Sequence, residues 1–202
     1  MSIYTEIDSN TLNTLRRAFL SAVENGLKVK SHGLGAAQII IPSIIIDGFE
    51  INQFHVWDKR LCVFPEEQTG HSHRFDMLSF VLYGYIDNVD VSIKEGTDYK
   101  IGTHLDHGDD FELERFVSIE TNKFRVESGN KYYMRRDEFH QFDVPDVALT
   151  FVCKKNVSGY SSVLFPADVP FKSGCSEDMR EYLLKNGTVV VNEMYDRIKN
   201  SF

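Results

Sequence analysis

Between Ala36 and Phe165 the chain is punctuated by turn signals and carries no sustained helical periodicity. Asp47-Gly48, Asp58-Lys59-Arg60, Asp87-Asn88, Glu120-Thr121-Asn122, Asp137-Glu138 and Pro145-Asp146 separate short runs rich in β-branched and aromatic residues. Turns recurring about every eight to twelve residues are the rhythm of an antiparallel sandwich or barrel. A parallel α/β sheet needs a crossover helix between successive strands, and this stretch offers none. The expectation is an all-β core, an antiparallel jelly-roll barrel.

Helical signals sit at the two ends. Asp8 or Ser9 can cap a helix carrying Leu12, Leu15, Phe19, Leu20 and Val23 on one stripe, and Asn25-Gly26 ends it. Ser176-Glu177-Asp178 starts a C-terminal helix, Gly187 is read as its stop, and Val189 to Ile198 forms a second one. The chain is read as one domain over 1–202, with an N-terminal helix within 1–27, a β-barrel over 36–165 and C-terminal helices over 175–199. Lys28 to Gly35 reads as a polar connection, and Pro65 to Gly70 as a loop. Glu95 to Asp110 is a polar excursion, and loops of that length inside a domain are usually functional or mobile.

Composition narrows the partners. The net charge is −8 with no basic block, which argues against nucleic acid or an anionic membrane as a partner. The longest apolar run, Ala36 to Ile46, is interrupted by Gln38, Pro42 and Ser43 and is too short to span a bilayer. The first residues carry no secretory pattern. Cys62, Cys153 and Cys175 are widely spaced and odd in number, so no disulfide framework is implied and a reduced, cytoplasmic setting is expected. The remaining partner class is a small molecule, with a homodimer as the candidate assembly.

One stretch carries chemistry. Gly70-His71-Ser72-His73 leads into the apolar run from Met77 to Ile86. Residues two apart on a strand share a face, so His71 and His73 can aim both imidazoles at one point. Metal catalysis commonly uses three protein ligands and leaves coordination positions open, so a third ligand is needed. His140, at the start of Phe139 to Val144, is the leading candidate.

At these residues the chain resembles the cupin family. The first cupin motif is Gly-x5-His-x-His-x3,4-Glu-x6-Gly, and His71, His73 and Gly84 match it in spacing. The second is Gly-x5-Pro-x-Gly-x2-His-x3-Asn, and Gly129 and His140 match it. Pro65, Met77 or Leu78, Arg135, Asp137 and Val144 stand where the motifs carry other residues. The resemblance covers about Phe49 to Lys154. It implies a jelly-roll barrel with a three-histidine face of His71, His73 and His140, which lacks the family's glutamate ligand. Such a face resembles the thiol dioxygenases and related iron enzymes. Iron is the first expectation for a single divalent transition metal, with zinc, nickel and manganese as alternatives, since imidazole sites select weakly among them.

The functional expectation is a metal-dependent oxygenase acting on a small, anionic substrate. The alternatives are a cupin-type isomerase, epimerase or lyase, and a ligand-binding cupin without turnover. Tyr83 and Arg135 are the candidate catalytic residues. Tyr83 shares strand parity with Met77 and the histidines, and Arg135 or Arg136, near Tyr133, can clamp an anion bidentately. Asp76 falls on the opposite strand face, so it is read as a structural or ligand-orienting carboxylate. His55 and Trp57 are read as core packing, and Cys153 as a small buried hydrophobe. His104-x2-His107, with Asp106, Asp109 and Asp110, is read as a solvated acidic loop, and His32 is given no role.

Overall fold

The computed structural model describes residues 4–32, 34–42, 46, 48–63, 70–104, 111–143, 145–156, 161–168 and 177–202. In chain order they form β1 (Tyr4–Glu6), α1 (Ser9–Glu24), β2 (Val29–His32), β3 (Leu34–Ile40), β4 (Ile51–Cys62), β5 (Gly70–His71), β6 (Asp76–Tyr83), β7 (Tyr85–His104), β8 (Phe111–Glu127), β9 (Asn130–Met134), β10 (Phe139–Asp143), β11 (Ala148–Lys155), β12 (Ser162–Pro166) and α2 (Glu177–Lys199). All pairings among the described strands are antiparallel.

Two sheets result. A seven-stranded sheet runs β1-β9-β6-β11-β4-β3-β2, and a five-stranded sheet runs β10-β5-β12-β7-β8. The second closes on itself, because β10 also pairs with the first half of β7 while β12 pairs with its second half. Two glycines turn the chain between sheets. Gly84 separates β6 from β7 at φ 70°, and Gly129 separates β8 from β9 at φ 90°. A Cβ on Gly84 would lie 2.6 Å from Val147 O, so both its backbone angle and its surroundings require glycine. The two corners are tied by Ser128 N–H donating to Gly84 O and Gly129 N–H to Val81 O, both at 2.9 Å. The Arg16 guanidinium of α1 caps the same corner, donating to Leu82 O at 2.8 and 2.9 Å.

Strand alternation divides the seven-stranded sheet into two faces. Phe54, Val56, Phe80, Leu82, Leu149 and Phe151 meet both helices, with Phe19 of α1 packing edge-on against Phe54 at 5.4 Å. Met77, Val81, Ala148, Val152, Tyr132 and Met134 face the barrel interior, where Ile86 and Val126 join them. Each such buried side chain contributes about 1.5–3 kcal/mol, so the barrel has a substantial core on either side of this sheet. Cys153 lies in the helix-side core, and burial pushes its thiol up to about 12, as expected of an inert buried sulfur.

Helix α1 starts and stops where the sequence places it, with the Asp8 side chain accepting from Thr11 N. Other boundaries differ for physical reasons. Gly187 does not stop α2, which runs unbroken to Lys199. It is a packing glycine: its missing side chain lets α2 approach Ser31 of β2, whose hydroxyl donates to Leu183 O. Asp58-Lys59-Arg60 is not a turn but part of β4, because Asp58 pairs with the Arg60 guanidinium along the strand and Arg60 also reaches Glu193 of α2. Asp87-Asn88 and Glu120-Thr121-Asn122 are likewise strand residues, inside the long β7–β8 hairpin. The expected excursion is β7 as far as His104, while 105–110 fall outside the described residues. Lys28 to Gly35 contains β2 and the start of β3 rather than a connection. Pro65 to Thr69, much of Ala36 to Ile46 beyond Pro42, and the Pro170-to-Ser176 passage also lie outside them. No helix among the described residues is long and apolar enough to cross a membrane.

Candidate metal centre

His71, His73 and His140 come together where the five-stranded sheet closes. One ring nitrogen from each lies within 4.8 Å of the others. The rings of His71 and His73 are 4.9 Å apart and perpendicular, and each sits about as close to His140, at 4.6 and 5.0 Å. His73 Nε2 and His140 Nε2 are 3.0 Å apart. No carboxylate or thiolate joins this cluster among the described residues.

The backbone explains the convergence. His71 of β5 pairs directly across from His140 of β10 and from Val163 of β12, so all three strands contribute at one level. Gly70 lets β5 sit close to β10, since a Cβ there would be 3.2 Å from His140 O. Ser72 fixes the residue between the two histidines: its N–H donates to Ser162 O at 2.8 Å and its Oγ accepts from Ser162 N at 3.1 Å. The His73 ring then stacks on Phe75, with centroids 4.8 Å apart and planes 21° from parallel.

His140 is buried and Asn88 is fully buried behind it. His140 Nδ1 lies 2.8 Å from Asn88 Oδ1. In that orientation the amide oxygen accepts the Nδ1–H, which leaves the Nε2 lone pair aimed at the cluster. This is how a buried partner fixes the tautomer of a ligating histidine. Burial, with His71 adding to it, holds the His140 imidazole well below the ordinary histidine range, so it is neutral at physiological pH and needs no deprotonation to act as a ligand. Asn88 was not legible as a site residue, because Asp87-Asn88 has the composition of a turn. The signal available was its place in the alternation with Ile86, on the face opposite Val89 and Val91.

The other candidates lie elsewhere. Tyr83 is half-buried against the helix-side core. A bulge at Leu149 and Thr150, which pair with Tyr83 and Val81, skips Leu82 and breaks the strand parity that would have turned Tyr83 inward. Arg135 is exposed, lies 3.5 Å from Asp137, and lines an outer cleft with Asp76, Tyr133, Arg136 and Asn156. Asp76 faces outward as strand parity requires, accepting from Arg136 N at 3.0 Å and Asn156 Nδ2 at 2.7 Å. It orients no histidine; Asn88 does. His55 lies on the inner face, buried against Trp57 with the Gln53 amide on its Nε2. Trp57 Nε1–H donates to Thr150 Oγ1 at 3.0 Å, which anchors that wall.

No protein-family model and no curated protein matches the chain. Solved structures do show similarity of shape. Salicylate 1,2-dioxygenase from Pseudoaminobacter salicylatoxidans aligns at 11% identity over 74% of this chain and 34% of its own, with a TM-score of 0.35. Hazelnut (Corylus avellana) vicilin aligns at 10% identity over 85% and 42%, with a TM-score of 0.36. The chain spans about a third of that dioxygenase, and 60% of a hydroquinone 1,2-dioxygenase chain that aligns at 11% identity over 55% of this one with a TM-score of 0.32. Likenesses at this level say nothing of chemistry, which rests on the three imidazoles in the antiparallel barrel.

Proposed function

We propose that the chain binds one divalent transition metal through His71, His73 and His140 and, with iron there, acts as an oxygenase on a small anionic molecule. The observation that carries this reading is three ring nitrogens within 4.8 Å, one of them presented as a lone pair by the buried Asn88. Bound there, the ion supplies Lewis acidity and open coordination positions. The residues supply the rest. Asn88 orients His140, Ser72 fixes the two-histidine segment, and Phe75 supports His73 from behind. Phe75 also packs against the interior cluster of Met77, Val81 and Met134, which brings apolar surface up to the His73 side of the site. Three neutral imidazoles leave the ion's full positive charge in place, which favours an anionic substrate.

Metal analysis after purification without chelators tests the site. Wild type is expected to retain about one ion per chain, and His73→Ala and His140→Ala to lose it. Equally low metal in all three refutes the reading. Anaerobic reconstitution with ferrous iron, followed by oxygen uptake over thiols, carboxylic acids and sugars, tests the chemistry. Metal retention with no oxygen consumed on any substrate removes the oxygenase reading and leaves an isomerase, a lyase or a ligand-binding protein.

A further inference from the structure

Lys154 is a cation facing inward with no counter-ion among the described residues. On β11, Ala148, Thr150 and Val152 alternate toward the barrel interior, and Lys154 is next in that series. It pairs across strands with Met77 on one side and Ile51 on the other. Its ammonium sits 4.4 Å from the centre of the Phe75 ring. That ring stacks on His73 at 4.8 Å, so two short steps separate the ammonium from a cluster imidazole. Among the described residues no hydrogen bond or ion pair reaches the Lys154 ammonium. Its neighbour Lys155 faces the other way, over the Phe49 and Tyr133 rings.

We infer that Lys154, with Arg74 beside it, binds the anionic end of the small molecule that the histidine site takes. The inference rests on the reading of that site given above and names the group that selects its ligand. A half-buried ammonium without an anion is costly, and chains that keep one generally pair it. One aromatic face offsets only part of that cost. Burial, with the like charge of Arg74 adding to it, lowers the lysine to about 8. An anion seated between the two cations relieves both the desolvation and the repulsion. Arg135 and Arg136 line the outer cleft instead, on the far face of the sheet. Lys154 is the cation on the inner face next to the cluster. Opposite it stands Met77, an uncharged side chain that leaves the ammonium for a ligand.

The test follows the Lys154 side chain by NMR in protein labelled at lysine Cε, with its signal assigned by loss in Lys154→Gln. Apo and zinc-loaded protein are titrated with propionate, with inorganic phosphate and with neutral propionamide. Propionate or phosphate is expected to give a saturable shift and to raise the pH at which Lys154 titrates, and propionamide neither. Lys154→Gln should weaken anion binding about tenfold or more, whereas Lys154→Arg retains it. Met77→Glu places a carboxylate opposite the ammonium, so it should raise the Lys154 titration and weaken propionate binding by a similar factor. A Lys154 signal indifferent to both anions, or propionate binding unchanged in Lys154→Gln, overturns the inference. Anion binding at Lys154 in a protein that takes up no zinc would refute the metal reading and leave the anion site standing.

Discussion

Asn88→Ala removes the acceptor behind His140 and little else. The lost contact is a 2.8 Å hydrogen bond between two buried groups. Without it the buried His140 Nδ1–H loses this acceptor, and the loss of a partner by a buried donor costs about 1–3 kcal/mol. The imidazole is then free to adopt the other tautomer, which places a proton where the lone pair must be. Removing a partner that orients a ligand typically weakens metal binding about 10–100-fold, or roughly 1.4–2.7 kcal/mol. Both figures describe one hydrogen bond and agree in size. The assay is zinc affinity by competition with a chromophoric chelator, paired with urea unfolding of the metal-free protein. Asn88→Ala should lose affinity by that factor and stability by about 1–3 kcal/mol. Asn88→Asp keeps an acceptor, so it should bind zinc at least as well as wild type while the metal-free form is less stable, since a buried carboxylate is costly without a metal to balance it. A folded Asn88→Ala protein with zinc affinity within about twofold of wild type, well short of the loss expected for an orienting partner, would show that Asn88 does not set the orientation of His140.

Two further predictions concern the fold. Metal-free stability should fall as pH drops below about 6.5, because the unfolded chain protonates its histidines there while burial keeps His140 neutral; it should rise again between about 8 and 10.5, where the unfolded chain still holds a proton that folded Lys154 has lost. Urea midpoints across that range check both, and a flat profile at either end refutes the corresponding burial. Gly187→Ala gains about 1 kcal/mol in helix propensity but drives a Cβ into Ser31 Oγ, and overpacking of this kind costs about 1–3 kcal/mol. Thermal unfolding should show a net loss in wild type and a net gain in a Ser31→Ala background; stabilisation in both would mean that α2 does not need the glycine for its approach.

The parts of this molecule that were legible from sequence are those written by local rules. The Asp8 cap, the apolar stripe of α1 and the alternation through Phe139 to Lys154 each depend on near neighbours. The three histidines were legible because strand parity and fixed spacing reach that far. What was hidden depends on tertiary partners. Gly187 carries the same signal whether it ends a helix or lets one approach a sheet. Asp58 and Asn88 have turn chemistry, yet Arg60 pairs with the first and His140 with the second, and each partner holds its residue in a strand. Tyr83 turns to the helix side because a bulge, invisible in the sequence, cancels parity beyond Val81. Lys154 showed only as the end of an apolar strand; its importance follows from Phe75 and Met77, neither of which adjoins it in sequence.

Whether the barrel needs a metal to close can be decided from magnitudes. With Asn88 holding the His140 Nδ1–H, His140 Nε2 can accept a hydrogen bond from His73 Nε2–H across their 3.0 Å separation. A metal ion must displace that proton, and the contact it replaces is worth about 0.5–1.5 kcal/mol. Binding free energies at structural zinc sites are about 10–16 kcal/mol, so the hydrogen bond opposes a metal only weakly. It does satisfy the imidazoles when no metal is bound. The rest of the closure is independent of any ion. β10 pairs with β7 from Phe139 to Asp143, β12 pairs with β7 from Ser162 to Pro166, and the cores on both sides of the seven-stranded sheet are built from side chains other than the histidines. Unlike a zinc finger, this fold is therefore expected to stand without a metal. His73→Ala removes the stack on Phe75 and His140→Ala the bond to Asn88, so the metal analysis of both variants is paired with urea unfolding of the metal-free protein, which separates lost ligation from lost folding.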